Sequence, residues 1–259
     1  MSAPRINYRV DGTRGPWVTF VTGIANDVTL WNPQVPALER DFRVLRYDLR
    51  GHGASEATQP PYSIELLVGD LLRLWQELGI EQSHLVGLGL GGALAQAVAI
   101  DHREHLISLM PCCCRAQMVP DFALLWHGLI NDVKRNGFDS IVEPTAQRWF
   151  SEEFKAANPA ALEAVRKMIR RTSLEGYLGC IGAFLGLELE AQLGEIKTPT
   201  QFISGADDKL GGPPPLMAQL AAKVPRARHS SIPKAAHIAN IQNPGAFNLS
   251  MVEFIKRHR

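Results

Sequence analysis

Gly87-Leu88-Gly89-Leu90-Gly91-Gly92 is the stretch that decides the fold. It follows the apolar run His84–Leu88 and leads into a helix-length segment, Gly92–His102. Glycines this dense let a chain leave a strand and turn directly into a helix. Two motifs can be laid on the turn. One is the dinucleotide fingerprint GxGxxG, met by Gly87, Gly89 and Gly92. The other is the strand–turn–helix elbow GxSxG, met by Gly87 and Gly91, with Gly89 in the serine position. A tight βα turn with packing glycines is the plain alternative to both.

The fingerprint needs an acidic residue about 20 positions on, at the end of the next strand. That strand ends Leu109-Met110-Pro111-Cys112, without a carboxylate. The fingerprint also normally opens the first βα unit, whereas two or three strands precede it here. The elbow makes a different demand: nucleophile, acid and histidine in that chain order, each just beyond a strand. Gly205-Ala206-Asp207-Asp208 follows the run Pro199–Ser204, and His237 follows a run ending near Ile232. A lone Asp after a strand is usually a turn former, and a lone His a surface residue. Both in the required order downstream of an elbow is a much rarer coincidence.

Outward from this turn, short β-branched and apolar runs alternate with helix-length segments, the pattern of parallel strands with crossover helices. The strands expected are Ile6–Val10, Trp17–Thr22, Phe42–Tyr47, His84–Leu88, Leu106–Met110, Pro199–Ser204 and Ala227–Ile232. The helices expected are Trp31–Arg40, Ile64–Leu78, Gly92–His102, Pro215–Lys223 and Gly245–His258. Within Ile64–Leu78, Leu67, Leu71, Leu74, Trp75 and Leu78 recur at helical spacing. Between about Cys114 and Leu193 the alternation stops, and helical patterns are punctuated by glycine and proline. An insertion of this size reads as a helical cap, about 115–193, over one end of the sheet of a single 1–259 domain.

Bulk properties narrow the partners. The 259 residues carry a net charge of +1 with no charge blocks, so there is no electrostatic footprint for nucleic acid or an anionic membrane. No apolar run nears the roughly 18 residues that span a bilayer, and the N-terminal residues lack an apolar signal core. Three of the four cysteines are consecutive, Cys112, Cys113 and Cys114, with Cys180 apart. They read as reduced thiols of a cytoplasmic protein. No His, Cys or Glu spacing suggests a metal.

With these residues in view, the chain resembles the α/β-hydrolase superfamily nearly end to end. Arg46-Tyr47-Asp48-Leu49-Arg50-Gly51-His52-Gly53-Ala54-Ser55 is similar to its D-x-R-G-x-G-x-S signature. Gly205-x-x-Asp208 followed by Pro213 resembles its acid motif, and that spacing selects Asp208 over Asp207. His237-Ile238-Ala239-Asn240-Ile241-Gln242-Asn243-Pro244, with Phe247 and Phe254-Ile255, resembles its histidine motif and final helix. Within the superfamily, Trp31-Asn32-Pro33-Gln34-Val35, Phe42–Asp48, Pro61–Glu65 and Arg148-Trp149-Phe150 look like 3-oxoadipate enol-lactonases. Two departures stand out. Gly89 replaces the serine, and Val21-Thr22-Gly23-Ile24-Ala25 lacks the His-Gly common in the superfamily.

The resemblance implies an α/β fold with a mostly parallel central sheet flanked by helices. It also implies cofactor-free hydrolysis of a small-molecule ester or lactone, and it leaves the oligomeric state open. Asp208 and His237 would be the acid and base of a triad, and the backbone N–H groups of Leu90 and a residue near Ile24 its oxyanion hole. Removing a triad nucleophile costs about 10⁶-fold in a serine protease. This chain is therefore expected to be nearly silent as a serine-type esterase. Three alternatives accompany that expectation: His237 and Asp208 acting as general base on water or on a substrate proton, a ligand binder without turnover, or a substitute nucleophile among Cys112–Cys114. Trp126, Trp149 and Phe150 are candidates to line an apolar pocket, or else simply hold the cap together. Arg148 and Arg50 are candidates to meet a substrate carboxylate, with a structural role as the alternative.

Overall fold

The computed structural model describes residues 3–258. Seven strands form its one sheet: β1 (Tyr8–Asp11), β2 (Trp17–Val21), β3 (Arg43–Tyr47), β4 (Ser83–Leu88), β5 (Leu106–Cys112), β6 (Gln201–Gly205) and β7 (Arg228–Ile232). Their order is β1-β3-β2-β4-β5-β6-β7, parallel throughout except for β1, which runs antiparallel to β3. β2, β4 and β6 are buried at every position, as a sheet covered on both faces demands of its central strands. The edge strands β1 and β7 are half exposed and carry Arg9, Arg228 and His229. All seven strands lie where the apolar runs put them.

The helices that follow, in chain order, are α1 (Val35–Leu38), α2 (Ile64–Glu77) and α3 (Leu90–Asp101). Then come α4 (Pro120–Asn136), α5 (Val142–Trp149), α6 (Glu152–Ala157), α7 (Pro159–Arg170) and α8 (Leu174–Leu185). After β6 come α9 (Pro214–Lys223), α10 (Ala239–Gln242) and α11 (Pro244–Arg257). α2 packs on α3, which packs on β4 and β5, while α9 covers β6 and β7 and α11 joins α1 and α10. The apolar stripe of α2 buries Leu67, Leu71, Leu74 and Trp75, and Ser63 caps the helix by accepting from Leu66 N.

The expected helix Trp31–Arg40 is corrected. A 3₁₀ segment, Val28–Gln34, comes first, and α1 lasts only four residues. The Asp27 side chain accepts from Thr29 N and starts the turn early, and Pro33 inside it removes an N–H that a regular helix would need.

Helices α4–α8 make up the long excursion between β5 and β6. Its two ends are tied together: Gln117 bridges Glu188 antiparallel, Met118 N donates to Leu187 O and Leu189 N to Ala116 O. That stem was invisible as a strand because it is only one bridge long.

Candidate active site

Parallel strands direct their C-terminal ends, and the loops that follow them, to one edge of the sheet, where ligands of such folds are held. Five such ends converge here, β5 bringing Cys113 and Cys114. β4 delivers Gly89, β2 delivers Gly23 and Ile24, β6 delivers Asp208, and β7 delivers His237. With helices α4, α5 and α8 they enclose a pocket of about 790 Å³, mouth included.

The turn at residue 89 is an elbow in its backbone. Gly89 has φ 59° and ψ −120°, a conformation strained for any residue with a side chain. The turn is so tight that a Cβ on Gly87 would lie 2.1 Å from Gly91 O, and one on Gly91 2.4 Å from Val21 O. The two outer glycines of the motif are thus demanded by contact. Residue 89 is different: a Cβ there would meet nothing nearer than His237 Nε2 at 3.6 Å. Leu90 begins α3, so its N–H is one of the helix's unpaired donors and sits beside the pocket that Leu90 lines.

Asp208 is held on all sides. Oδ1 accepts from Leu210 N and Gly211 N, both at 3.0 Å, and Oδ2 from Gly212 N at 2.9 Å and His237 Nδ1 at 3.0 Å. Burial pushes the carboxyl up, but the imidazole and the backbone donors outweigh it and hold its pKa below the ordinary value. An ionised Asp208 makes His237 Nδ1 the donor, so in the neutral ring Nε2 is the acceptor, and Nε2 faces Gly89. Asp207 is exposed, and its N–H goes to Ala235 O.

The structure brings Ile24, Gly89, Leu90, Trp126, Arg148, Trp149, Asp208 and His237 to one pocket. It does not bring Phe150 there. That ring is buried and stacked on Phe154 at 4.7 Å, because one step along from Trp149 ends α5 and turns the chain away. Arg50 takes the structural alternative: it is buried in a two-pronged pair with Asp70, at 2.8 and 2.7 Å, and bonds Thr58. Its motif is a staple rather than a site, for Asp48 next to it binds Val28 N, Asn7 and Ala54 N. Arg148 stands apart from both. Its one side-chain partner is Thr145 Oγ1 at 3.2 Å, and among the described residues no carboxylate lies within 4.0 Å of it. Trp126 has both expected roles, lining the pocket and packing edge-on against Phe184 at 5.4 Å.

Cys113 and Cys114 line the pocket, whereas Cys112 is in β5. All three are fully buried, and burial pushes their thiols well up, with Asp208 adding to the rise at Cys113. Such thiols are poor sources of thiolate. Cys113, Asp208 and His237 do place potential metal-ligand atoms within 4.8 Å of one another, a meeting that sequence spacing could not reveal. Each oxygen of that carboxylate, however, is already taken by two donors. The pocket residues missed in the sequence are chiefly Phe122, Leu125, Leu129, Thr145, Tyr177 and Phe184. Phe122, Leu125, Trp126 and Leu129 fall at helical spacing, and Tyr177, Cys180, Ile181 and Phe184 repeat it, so both stripes were legible as helix faces but not as walls of a pocket.

Residues 16–244 match the family model described as alpha/beta hydrolase fold. Among similar proteins, 3-oxoadipate enol-lactonase 2 of Acinetobacter baylyi is 29% identical over 97% of this chain and 93% of its own length. The crystal structure of the enol-lactonase from Burkholderia xenovorans superposes with a TM-score of 0.93 at 33% identity, covering 98% of this chain and 97% of that one. A thermophilic esterase from Thermogutta terrifontis superposes at 0.92 with 28% identity, over 99% and 95% of the two chains. Matched by the family model over most of its length, this chain belongs to the alpha/beta hydrolase family.

Proposed function

We propose that the site is built to hydrolyse a small carboxylic ester or lactone, of the enol-lactone kind, by acyl transfer through residue 89, and that Gly89 leaves it nearly silent. The observation that carries this is the aim of His237 Nε2, 3.6 Å from the place of a residue-89 Cβ on an intact elbow. A hydroxyl one bond beyond that Cβ can turn to within the roughly 2.6–3.2 Å of Nε2 that a general base needs. Leu90 N–H and the backbone near Ile24 would then hold the oxyanion, since backbone donors do not depend on the residue-89 side chain.

Arg148 supports a substrate that carries a carboxylate. A guanidinium is always charged, and one lining a ligand pocket without an acidic partner is a ready receptor for an anion. Trp126, Trp149, Phe122 and Leu125 would cover the apolar remainder. On this reading helices α4–α8 are the cap of a single-domain enzyme, and the interior of a cell suits its reduced thiols.

Gly89→Ser tests the proposal. The variant should gain at least about 10³-fold on activated esters or enol-lactones, given what nucleophile removal costs in related chemistry. A folded variant that stays silent on all of them would sink the reading. The competing function, a binder without turnover, rests on a pocket that is complete without residue 89. It predicts tight carboxylate binding with no turnover in either form.

A further inference from the structure

The void at residue 89 is itself a candidate binding site. A Cβ there would have its nearest neighbours at 3.6 Å from His237 Nε2 and 3.9 Å from Gly23 Cα and His237 Cε1, so nothing has moved in to fill the place. Gly89 opens on the pocket, and so does the imidazole whose acceptor nitrogen faces it. We infer that a free small nucleophile takes the position of the missing hydroxyl, making the chain an acyl transferase to nucleophiles of one or two heavy atoms. The inference rests on the proposed function for the acyl donor, a small ester or lactone in the pocket.

A free oxygen must stand off from Gly89 Cα by van der Waals distance, where a serine Oγ would be held closer by its bonds. It therefore sits slightly further into the pocket, still within the roughly 2.6–3.2 Å of Nε2 that a general base needs. Water fits, and so do methanol and hydroxylamine, whose second heavy atom turns into the pocket mouth. A larger alcohol has to share that space with the acyl donor.

The step balances without any further reactant. Nε2 takes the proton of the nucleophile as its oxygen or nitrogen bonds to the acyl carbon. The carbonyl oxygen becomes an oxyanion facing Leu90 N–H. Collapse breaks the acyl–oxygen bond, and the departing alkoxide or enolate recovers the proton from Nε2. Asp208 keeps Nδ1–H in place throughout and supports the transient imidazolium. The product is an acid with water, a methyl ester with methanol, and a hydroxamate with hydroxylamine. No acyl-enzyme forms.

The experiment uses 4-nitrophenyl acetate with methanol, hydroxylamine or 2-propanol, and subtracts the rate of the folded His237→Ala protein. Methanol and hydroxylamine should raise enzyme-dependent turnover at least about tenfold, saturably. That is a small part of the advantage a tethered hydroxyl holds over a free one. Methyl acetate and acetohydroxamate should be the products, 2-propanol should do nothing, and intact-mass measurement should find no acylated protein. Gly89→Ala should lose the effect because its methyl group occupies the void. Should that variant not fold, the size series in the unaltered chain decides alone. Turnover indifferent to methanol and hydroxylamine, equal acceleration by 2-propanol, or an acyl group found on Cys113 would each overturn the inference. Rescue by Gly89→Ser with no response to free nucleophiles would sink this inference and leave the proposed function standing. A silent Gly89→Ser would sink the function.

Discussion

The two sides of the candidate site are built to different degrees. On one side, Asp208 has four donors on two oxygens and His237 is fixed by it at 3.0 Å. On the other, the elbow has its backbone angles, its two obligatory glycines and an unpaired helix N–H, but no reacting atom. The difference shows that the frame of such a turn does not depend on the group it carries. Gly87 and Gly91 are required because a Cβ on either would lie 2.1 or 2.4 Å from a backbone oxygen, whereas residue 89 is set apart by its backbone angles alone. A side chain can leave the apex without loosening the rest.

The largest expected effect comes from making the two sides equal. Gly89→Ser should supply the gain of about 10³-fold or more already stated, and in that background the acid side can be taken apart. Asp208→Asn should remove nearly all of the gain, because the amide favours the wrong tautomer of His237; the corresponding change in a serine protease costs about 10⁴ in kcat. Asp207→Asn should change kcat less than about twofold, in keeping with its exposed position, since surface changes away from a site are nearly neutral. Equal losses at the two positions would break the assignment of the acid.

Legibility in the sequence follows the same division. The strands could be read because buried parallel strands are continuous apolar runs, and the meeting of Asp208 with His237 because chain order and strand ends restrict where such a pair can form. The segment around Trp31 could not, since Pro33 and the Asp27 cap favour a 3₁₀ turn that apolar spacing alone does not distinguish from a helix. Arg50 and Arg148 look alike as letters. One is buried against Asp70, the other is left without an acid among the described residues, and only the tertiary structure separates them. Phe150 takes the cap-packing alternative for a related reason: adjacent residues at the end of α5 face different neighbours.

A smaller effect tests the cap against the sheet edge. In the Gly89→Ser background, Arg148→Leu should raise KM for a carboxylate-bearing ester about 10–100-fold. This is the range expected from a lost charged hydrogen bond of about 1.5–3 kcal/mol. KM for an uncharged ester of the same size should stay within about threefold, because the Trp126 and Phe122 faces remain. If both substrates weaken alike, Arg148 is holding the cap in shape and not meeting an anion.

The smallest effect is on the fold, and it isolates the elbow's backbone from its chemistry. Serine at residue 89 meets no steric obstacle, for its Cβ would lie 3.6 Å from the nearest atom, an ordinary contact. What remains is the cost of a side chain at φ 59°, about 1–3 kcal/mol for a residue in a sparsely populated region. A chain of this size loses roughly 2–4 °C of Tm for each kcal/mol, so thermal unfolding of Gly89→Ser should come at most about 12 °C early. Gly89→Ala should fall by a similar amount, which assigns the loss to the backbone and not to the hydroxyl. Gly91→Ala is the contrast: its Cβ would be driven to 2.4 Å from Val21 O and 2.5 Å from Thr22 O, backbone atoms of β2 and its exit that cannot yield cheaply. It should unfold well below both residue-89 variants or fail to fold. A Gly89→Ser protein as damaged as Gly91→Ala would mean that the apex is packed as tightly as its flanks, and the separation of frame from reacting group would fail with it.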